Sequence, residues 1–213
     1  MNVTIVDYGA GNLGSVTRAF ESLGAAVTLA RDPAELSGAD AIVLPGVGAF
    51  AEAMDFLDRG GWLPHLNAAV LERRVPVLGI CLGMQLMAAR GEEGGDTPGL
   101  NWLGGGVVRR LNPPPENAAR LPHIGWNDLI RKQEHPLLAG IPEGATFYFA
   151  HSYHVDDLPE PCVLCRSAHG LEFVAAVARD HILGVQFHPE KSYANGMRLL
   201  RNFLETAGGN PRA

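Results

Sequence analysis

Cysteine is scarce here: the 213 residues hold three, an odd number. That leaves no closed disulfide framework and makes a reducing cytoplasm the default expectation. Lysine is scarcer still, with only Lys132 and Lys191 beside fifteen arginines (17 basic residues less 2), a bias to which no function attaches. Acidic residues outnumber basic ones, 23 to 17, for a net charge of −6. This argues against a nucleic acid or a membrane surface recognised by charge alone. No apolar run approaches the roughly 20 residues that cross a bilayer. The opening M-N-V-T-I-V-D has no basic region followed by an apolar core, so no signal peptide is expected. What is present is ordinary for a globular chain, 46% hydrophobic and 19% charged residues. One domain, 1–213, is expected, burying roughly 70% of its unfolded surface.

The first half alternates strand and helix. N-V-T-I-V-D is followed by a helical stripe, Val16, Ala19, Phe20 and Leu23, that Gly24 ends. A-V-T-L-A and A-I-V-L-P are the next strands, and P-V-L-G-I-C is a fourth, reached through a helical stretch from about Trp62 to Arg74. Such alternation predicts a parallel sheet covered on both faces. From about Trp102 the pattern changes to short strand-like runs separated by turn material such as N-P-P-P. G-V-V-R-R-L, T-F-Y-F-A, C-V-L-C-R-S, F-V-A-A-V-A and I-L-G-V-Q-F are the candidates, several close enough to pair antiparallel. A last helix carries Met197, Leu200, Phe203 or Leu204, and Ala207 on one stripe. The expectation is a mixed α/β domain.

Two motifs invite chemistry and are discounted. Cys162 and Cys165 form C-V-L-C, but on a strand residues three apart face opposite sides, and no second ligand pair completes a zinc site. G-A-G-N-L-G at 9–14 matches a dinucleotide-binding loop, with Asp32 near the end of the second strand. The chain left after such a nucleotide-binding half is short for a separate substrate domain, and stronger chemistry lies elsewhere. No cofactor and no metal are expected.

That chemistry starts at G-I-C-L-G, 79–83. A strand entering a helix through Gly-x-nucleophile-x-Gly is a nucleophile elbow, the glycines leaving room where backbone segments crowd. Cys81 then sits at the start of the helical run L-G-M-Q-L-M-A-A, where the positive end of the peptide dipoles favours an anionic sulfur. G-V-Q-F-H-P-E, 184–190, supplies a base and its orienter at another strand end. His188 is the proton carrier, and Glu190 points the same way, separated from it by strand-stopping Pro189. Attack on a carbonyl needs aimed donors for the oxyanion. The amide of Leu82 and the glycine-rich strand end L-P-G-V-G-A-F, 44–50, are placed to supply them.

In this order P-G-V-G-A-F, G-I-C-L-G-M-Q and G-V-Q-F-H-P-E-K-S resemble the class I, or triad, glutamine amidotransferases. D-Y-G-A-G-N at 7–12, P-H-I-G-W-N at 122–127 and F-Y-F-A-H-S-Y-H at 147–154 narrow the resemblance to the glutaminase subunits of imidazole glycerol phosphate synthases. It implies a single-domain, flavodoxin-like or Rossmann-like α/β fold: a mostly parallel central sheet flanked by helices, with added antiparallel strands in the second half. It implies Cys81 as nucleophile, His188 as acid–base residue, Glu190 as orienter, and the backbone amides of Val47 and Leu82 as the oxyanion hole. Gly48, Gln85, Glu93, His151, Ser152 and Tyr153 would meet glutamine, Gln85 also fitting by lying four residues after Cys81 on the same helix face. A (β/α)8 cyclase would be the partner in a heterodimer, meeting Ala10, Gly11, Asn12, Trp126 and Lys191. The same resemblance leaves the glycine-rich loop at 9–14 facing that partner and binding no dinucleotide. The alternatives are a glutaminase serving another synthase, such as the one making pyridoxal phosphate, a noncatalytic binding module on the same fold and, last, a dinucleotide-binding oxidoreductase.

Overall fold

The first four apolar runs become parallel strands. They are β1 (Asn2–Val6), β2 (Ala26–Ala30), β3 (Ala41–Gly46) and β4 (Val77–Cys81) in a computed structural model that describes residues 1–209. β3 and β4 are buried at every position, as strands with both faces covered must be. Between them run α1 (Leu13–Ser22), α2 (Phe50–Arg59) and α3 (Trp62–Asn67), while α4 (Leu82–Leu86) follows β4. The expected stretch from Trp62 to Arg74 is helical only to Glu72, and its second half is π-wound. The Arg73 amide reaches back five residues to the Ala68 carbonyl, and Arg74 then turns out at φ 54°. The run after Cys81 is likewise shorter than its pattern suggests, stopping at Leu86.

The second half contributes β5 (Arg90–Gly91), β6 (Thr97–Pro98), β7 (Val107–Arg110), β8 (His123–Asp128), β9 (Ile130–Arg131), β10 (Thr146–His151), β11 (Tyr153–Asp156), β12 (Val163–Ala168), β13 (Glu172–Arg179) and β14 (Ile182–Val185), then α5 (Tyr193–Gly208). The main sheet has the order β2-β1-β3-β4-β14-β13-β12-β9. Its first five strands are parallel, and β13, β12 and β9 extend it antiparallel. The 2-1-3-4 start is the flavodoxin-like winding, which puts ligand sites beyond the carboxyl ends of the strands. β8 and β10 form a separate antiparallel ribbon that pairs His123 with His151 and Trp126 with Tyr148.

Each sheet face has its own apolar core. Val3, Ile5, Phe20, Phe187 and Phe203 pack under α1 and α5, while Ile42, Leu44, Phe50, Trp62 and Leu66 pack under α2 and α3. Fully burying each such side chain is worth roughly 1.5–3 kcal/mol. On α5 the buried stripe is Leu199, Leu200, Phe203 and Ala207, with Met197 and Leu204 partly buried at its edge.

Glycine at 83 is dictated by α4 lying directly on β3: a Cβ there would run into the Leu44 carbonyl oxygen, which is backbone and cannot yield. Gly83→Ala is expected to cost at least about 2 kcal/mol. Urea denaturation reads this, and a midpoint equal to the parent's would contradict the packing described.

Candidate active site

Cys81 closes β4 with φ 54° and ψ −110°, a conformation costly for any residue with a side chain. The flanking glycines make it attainable: a Cβ at Gly79 would lie 2.7 Å from the Met84 amide nitrogen, and Gly83 meets β3 as described. The result is a buried sulfur at the carboxyl edge of the sheet. β14 runs parallel beside β4 with Val185 opposite Ile80, so the residues that follow it, Gln186 to His188, arrive at the same edge. The His188 amide donates to the Tyr148 carbonyl at 2.9 Å. Ser192 Oγ then donates to the His188 carbonyl at 2.6 Å and accepts from the Tyr148 amide at 3.0 Å. These bonds fix the histidine against β10.

Glu190 does not reach His188 by strand alternation. β14 ends at Val185, and Pro189 opens a 3-10 turn, Pro189–Lys191, that folds the carboxylate back. His188 Nδ1 donates to Glu190 Oε1 at 2.9 Å, with both side chains almost fully buried. Cys81 acts on the same ring, its sulfur raising the His188 value alongside Glu190. Burial opposes a charged ring, but the interaction with Cys81 and the bond to Glu190 outweigh it, raising His188 to about 9. Near neutral pH the imidazole therefore already holds a proton. A small cavity opens over the sulfur, lined by Val47, Gly48, Leu82, Gln85, Glu93 and the Ala150–Tyr153 segment.

The sequence matches the glutamine amidotransferase class-I family model over residues 4–207. The chain belongs to the class-I glutamine amidotransferases. It is 45% identical to the imidazole glycerol phosphate synthase subunit HisH of Caulobacter vibrioides, over 95% of this chain and 97% of that one. It is 44% identical to the HisH of Methanosarcina mazei, over 95% and 98%. In fold it is similar to a solved glutamine amidotransferase (TM-score 0.73, 24% identity, 97% and 98% of the two chains). The glutaminase domain of the Trypanosoma brucei CTPS, solved with acivicin bound, is also similar (TM-score 0.69, 18% identity, 100% and 96%).

Within this amidotransferase most residues named from the sequence gather at the cavity. Leu82 begins α4 beside the sulfur, while Val47 is exposed and Gly48 takes φ +104°. Gln85 Nε2 uses both hydrogens, donating to the Tyr153 carbonyl at 2.8 Å and to Gln186 Oε1 at 3.0 Å, so its own Oε1 is what it can offer a ligand. Glu93 reaches the cavity at the start of α2, its Oε2 accepting from the Phe50 amide at 2.8 Å. Asn12 shares a crevice with Val47, His188 and Glu190. Trp126 and Lys191 lie on the outer side of the β8–β10 ribbon, flanking Tyr148. Ala10 and Gly11 sit in the β1–α1 loop ahead of Asn12. The nearby Asp32 is occupied by a capping box, its side chain accepting from the Ala34 amide at 2.9 Å.

Three residues escaped the sequence reading. Gln186 is fully buried in the G-V-Q-F-H-P-E motif and sends Nε2 to Cys81 Sγ at 3.7 Å. A buried polar residue inside an otherwise apolar strand end is a signal that could have been read. Tyr8 puts its buried hydroxyl against Gly46, and burial together with the negative charge of Cys81 raises it. His123 is buried next to His151, which no pattern along the chain announces. Burial raises Cys162 and pushes Cys165 up to about 12, so both stay thiols. Among the described residues no group of three or more His, Cys, Asp or Glu is placed to hold a metal.

The His188 proton carries a pH signature. Its folded value lies above the ordinary 6.5, so its contribution to stability is full below pH 6.5 and fades as pH climbs through about 9. An NMR titration of the imidazole is expected to show a midpoint near 9, lowered in Glu190→Gln. A midpoint unmoved by that substitution would disprove the coupling.

Proposed function

We propose that the chain is the glutaminase subunit of imidazole glycerol phosphate synthase, residues 1–213 acting as one type-1 glutamine amidotransferase domain. The observation that carries the reading is His188 held between Cys81 and Glu190 at the mouth of the parallel sheet. The near full-length identity to HisH subunits selects the synthase.

The sulfur of Cys81 attacks the side-chain amide carbon of glutamine. The amides of Val47 and Leu82 receive the oxyanion, and Gln85 holds the substrate. His188 delivers its proton to the departing nitrogen, which leaves as ammonia, and a thioester forms on Cys81. Water, deprotonated by His188, then adds to the thioester; glutamate leaves and the sulfur is regenerated. Glu190 keeps the ring in register for both transfers. The sulfur must stay reduced throughout, which suits the cytoplasm.

Ammonia released into neutral water becomes ammonium, which has no free electron pair, so a partner must receive it directly. A fitting surface adjoins the site. Ile124, Trp126 and Tyr193 are exposed, Trp126 stacks on Tyr193 at 5.1 Å, and Lys191 Nζ lies 5.8 Å from the Tyr148 ring centre. Clustered aromatics with a cation at the rim are what anchors a protein interface. The β1–α1 loop with Ala10, Gly11 and Asn12 extends it. The partner is a (β/α)8 cyclase in a heterodimer, which joins the ammonia to a ribulosyl aminoimidazole carboxamide nucleotide, giving imidazole glycerol phosphate and an aminoimidazole carboxamide ribotide. The exposed Val47 peptide turns to complete the oxyanion hole when the cyclase is loaded.

Cys81→Ala is expected to abolish glutamate release while the co-purified cyclase still works on ammonium salts, and Glu190→Gln to lose less activity than His188→Ala. Glutamate release is measured with and without the cyclase and its nucleotide. Glutaminase rates equal in Cys81→Ser and the parent would refute the covalent route. A rate as high in the isolated chain as in the loaded complex would refute the gating by Val47.

A further inference from the structure

The Cys81 sulfur lies between hydrogen-bonding groups of opposite kind. Sγ is 3.9 Å from the Ala150 carbonyl oxygen and 3.7 Å from Gln186 Nε2. A carbonyl only accepts, so it favours the protonated sulfur. An amide N–H needs an electron pair on sulfur, so it favours the anion. Few other features here do. α4 is a short piece, Leu82–Leu86, with few peptide dipoles to sum. Among the described residues lining the cavity there is no lysine or arginine.

The direction of the Gln186 amide is forced by its surroundings. The Tyr153 carbonyl can only accept, which makes the Gln85 atom at 2.8 Å the amide nitrogen. That same nitrogen lies 3.0 Å from Gln186, so the Gln186 atom it meets must be Oε1. Nε2 is therefore the end left facing the sulfur. The backbone is held as well: the Gln186 main-chain amide donates to the Ala175 carbonyl on β13 at 2.9 Å, and the residue is fully buried. A carbonyl on β11 thus sets, through Gln85 and Gln186 in turn, which atom the sulfur meets.

We propose that Gln186 is a further catalytic residue: its side-chain N–H stabilises the Cys81 sulfur as an anion, when it attacks and again when it leaves. This role rests on the glutaminase reading and adds to it a group that serves the sulfur rather than the substrate. In the first step the S–C bond forms, the C–N bond breaks, and the departing nitrogen takes the His188 proton. In the second, water gives a proton to His188 and its oxygen to the carbonyl carbon, and the C–S electron pair returns to sulfur. His188 changes charge in each step, whereas a carboxamide keeps its hydrogens, so Gln186 stays a donor throughout. In the thioester the sulfur is neutral and accepts poorly. The N–H···S bond therefore strengthens as the C–S bond breaks, which lowers the barrier rather than tightening substrate binding. The titratable groups around the sulfur are His188 and Tyr8, with Glu93 and His151 in the cavity wall. Gln186 is the donor there that does not titrate.

The test uses the chain with its cyclase partner and Gln186→Met, which roughly keeps the volume and removes the donor. Iodoacetamide is the probe, because it reacts with the sulfur anion and needs no glutamine. Cys81→Ala gives the background from Cys162 and Cys165. At pH 7 alkylation is expected to be roughly tenfold slower than in the parent or slower still, the two rates converging at alkaline pH, where both sulfurs are anionic. An equal rate at pH 7 would overturn the proposal. So would a deficit of the same factor at every pH, which is what altered packing alone produces. For glutamate release kcat is expected to fall roughly tenfold and to carry most of the loss, with KM changed less; an unchanged kcat would also overturn it. Should Gln186→Met fail to fold, NMR of labelled glutamine side chains decides in the parent. One Gln186 side-chain hydrogen is expected downfield of its position in Cys81→Ala, and identical positions would sink the role. A parent complex that releases no glutamate from glutamine would instead defeat the glutaminase reading, while alkylation and NMR still decide whether Gln186 serves the sulfur.

Discussion

One imidazole held between a sulfur and a carboxylate is the contact on which the rest of this structure depends. His188 can hold a proton at neutral pH in a buried place because Cys81 and Glu190 both raise it, Glu190 through a 2.9 Å bond. That demand explains local features that otherwise look costly. Cys81 sits at a strained φ so that its sulfur leaves the strand toward the ring, and Gly79 and Gly83 surrender side chains to let the backbone bend. Pro189 ends the strand so that Glu190 can fold back. Each departure from regular geometry serves the same contact.

The parallel sheet converts distant pieces of chain into neighbours. Cys81 and His188 are more than a hundred residues apart, yet β4 and β14 are adjacent and run the same way, so their ends emerge together. The antiparallel additions have a different task. The β8–β10 ribbon carries Tyr148, which fixes His188 through backbone bonds, and it brings His123 beside His151. It also turns Trp126 outward beside the site. One ribbon thus meets His188, the far wall of the cavity over Cys81 and the exposed aromatic surface.

Polar groups within the site are joined in series. From Cys81 the bonds run through Gln186, Gln85 and the Tyr153 carbonyl to His151, His123 and Asn127. In a low-dielectric interior such lines are costly to interrupt, because each unpaired member would bear its full desolvation cost. The arrangement ties the position of the Cys81 sulfur to that of Gln85 and His151 in the cavity wall.

By itself the sequence determined the strand–helix alternation, the elbow around Cys81, the pairing of His188 with Glu190 and the glycine-rich strand end at Val47. All of these are encoded within a few consecutive residues, where apolar period, glycine and proline act directly on the backbone. It also gave grounds to discount zinc at C-V-L-C and a dinucleotide at G-A-G-N-L-G. Only the tertiary structure decided that Glu190 arrives by a 3-10 turn, that Gln186 donates to the sulfur, and that His123 shares a hydrogen bond with His151. Those contacts depend on strand neighbours and ribbon register, which are set by packing between segments far apart in the chain. No local pattern records them.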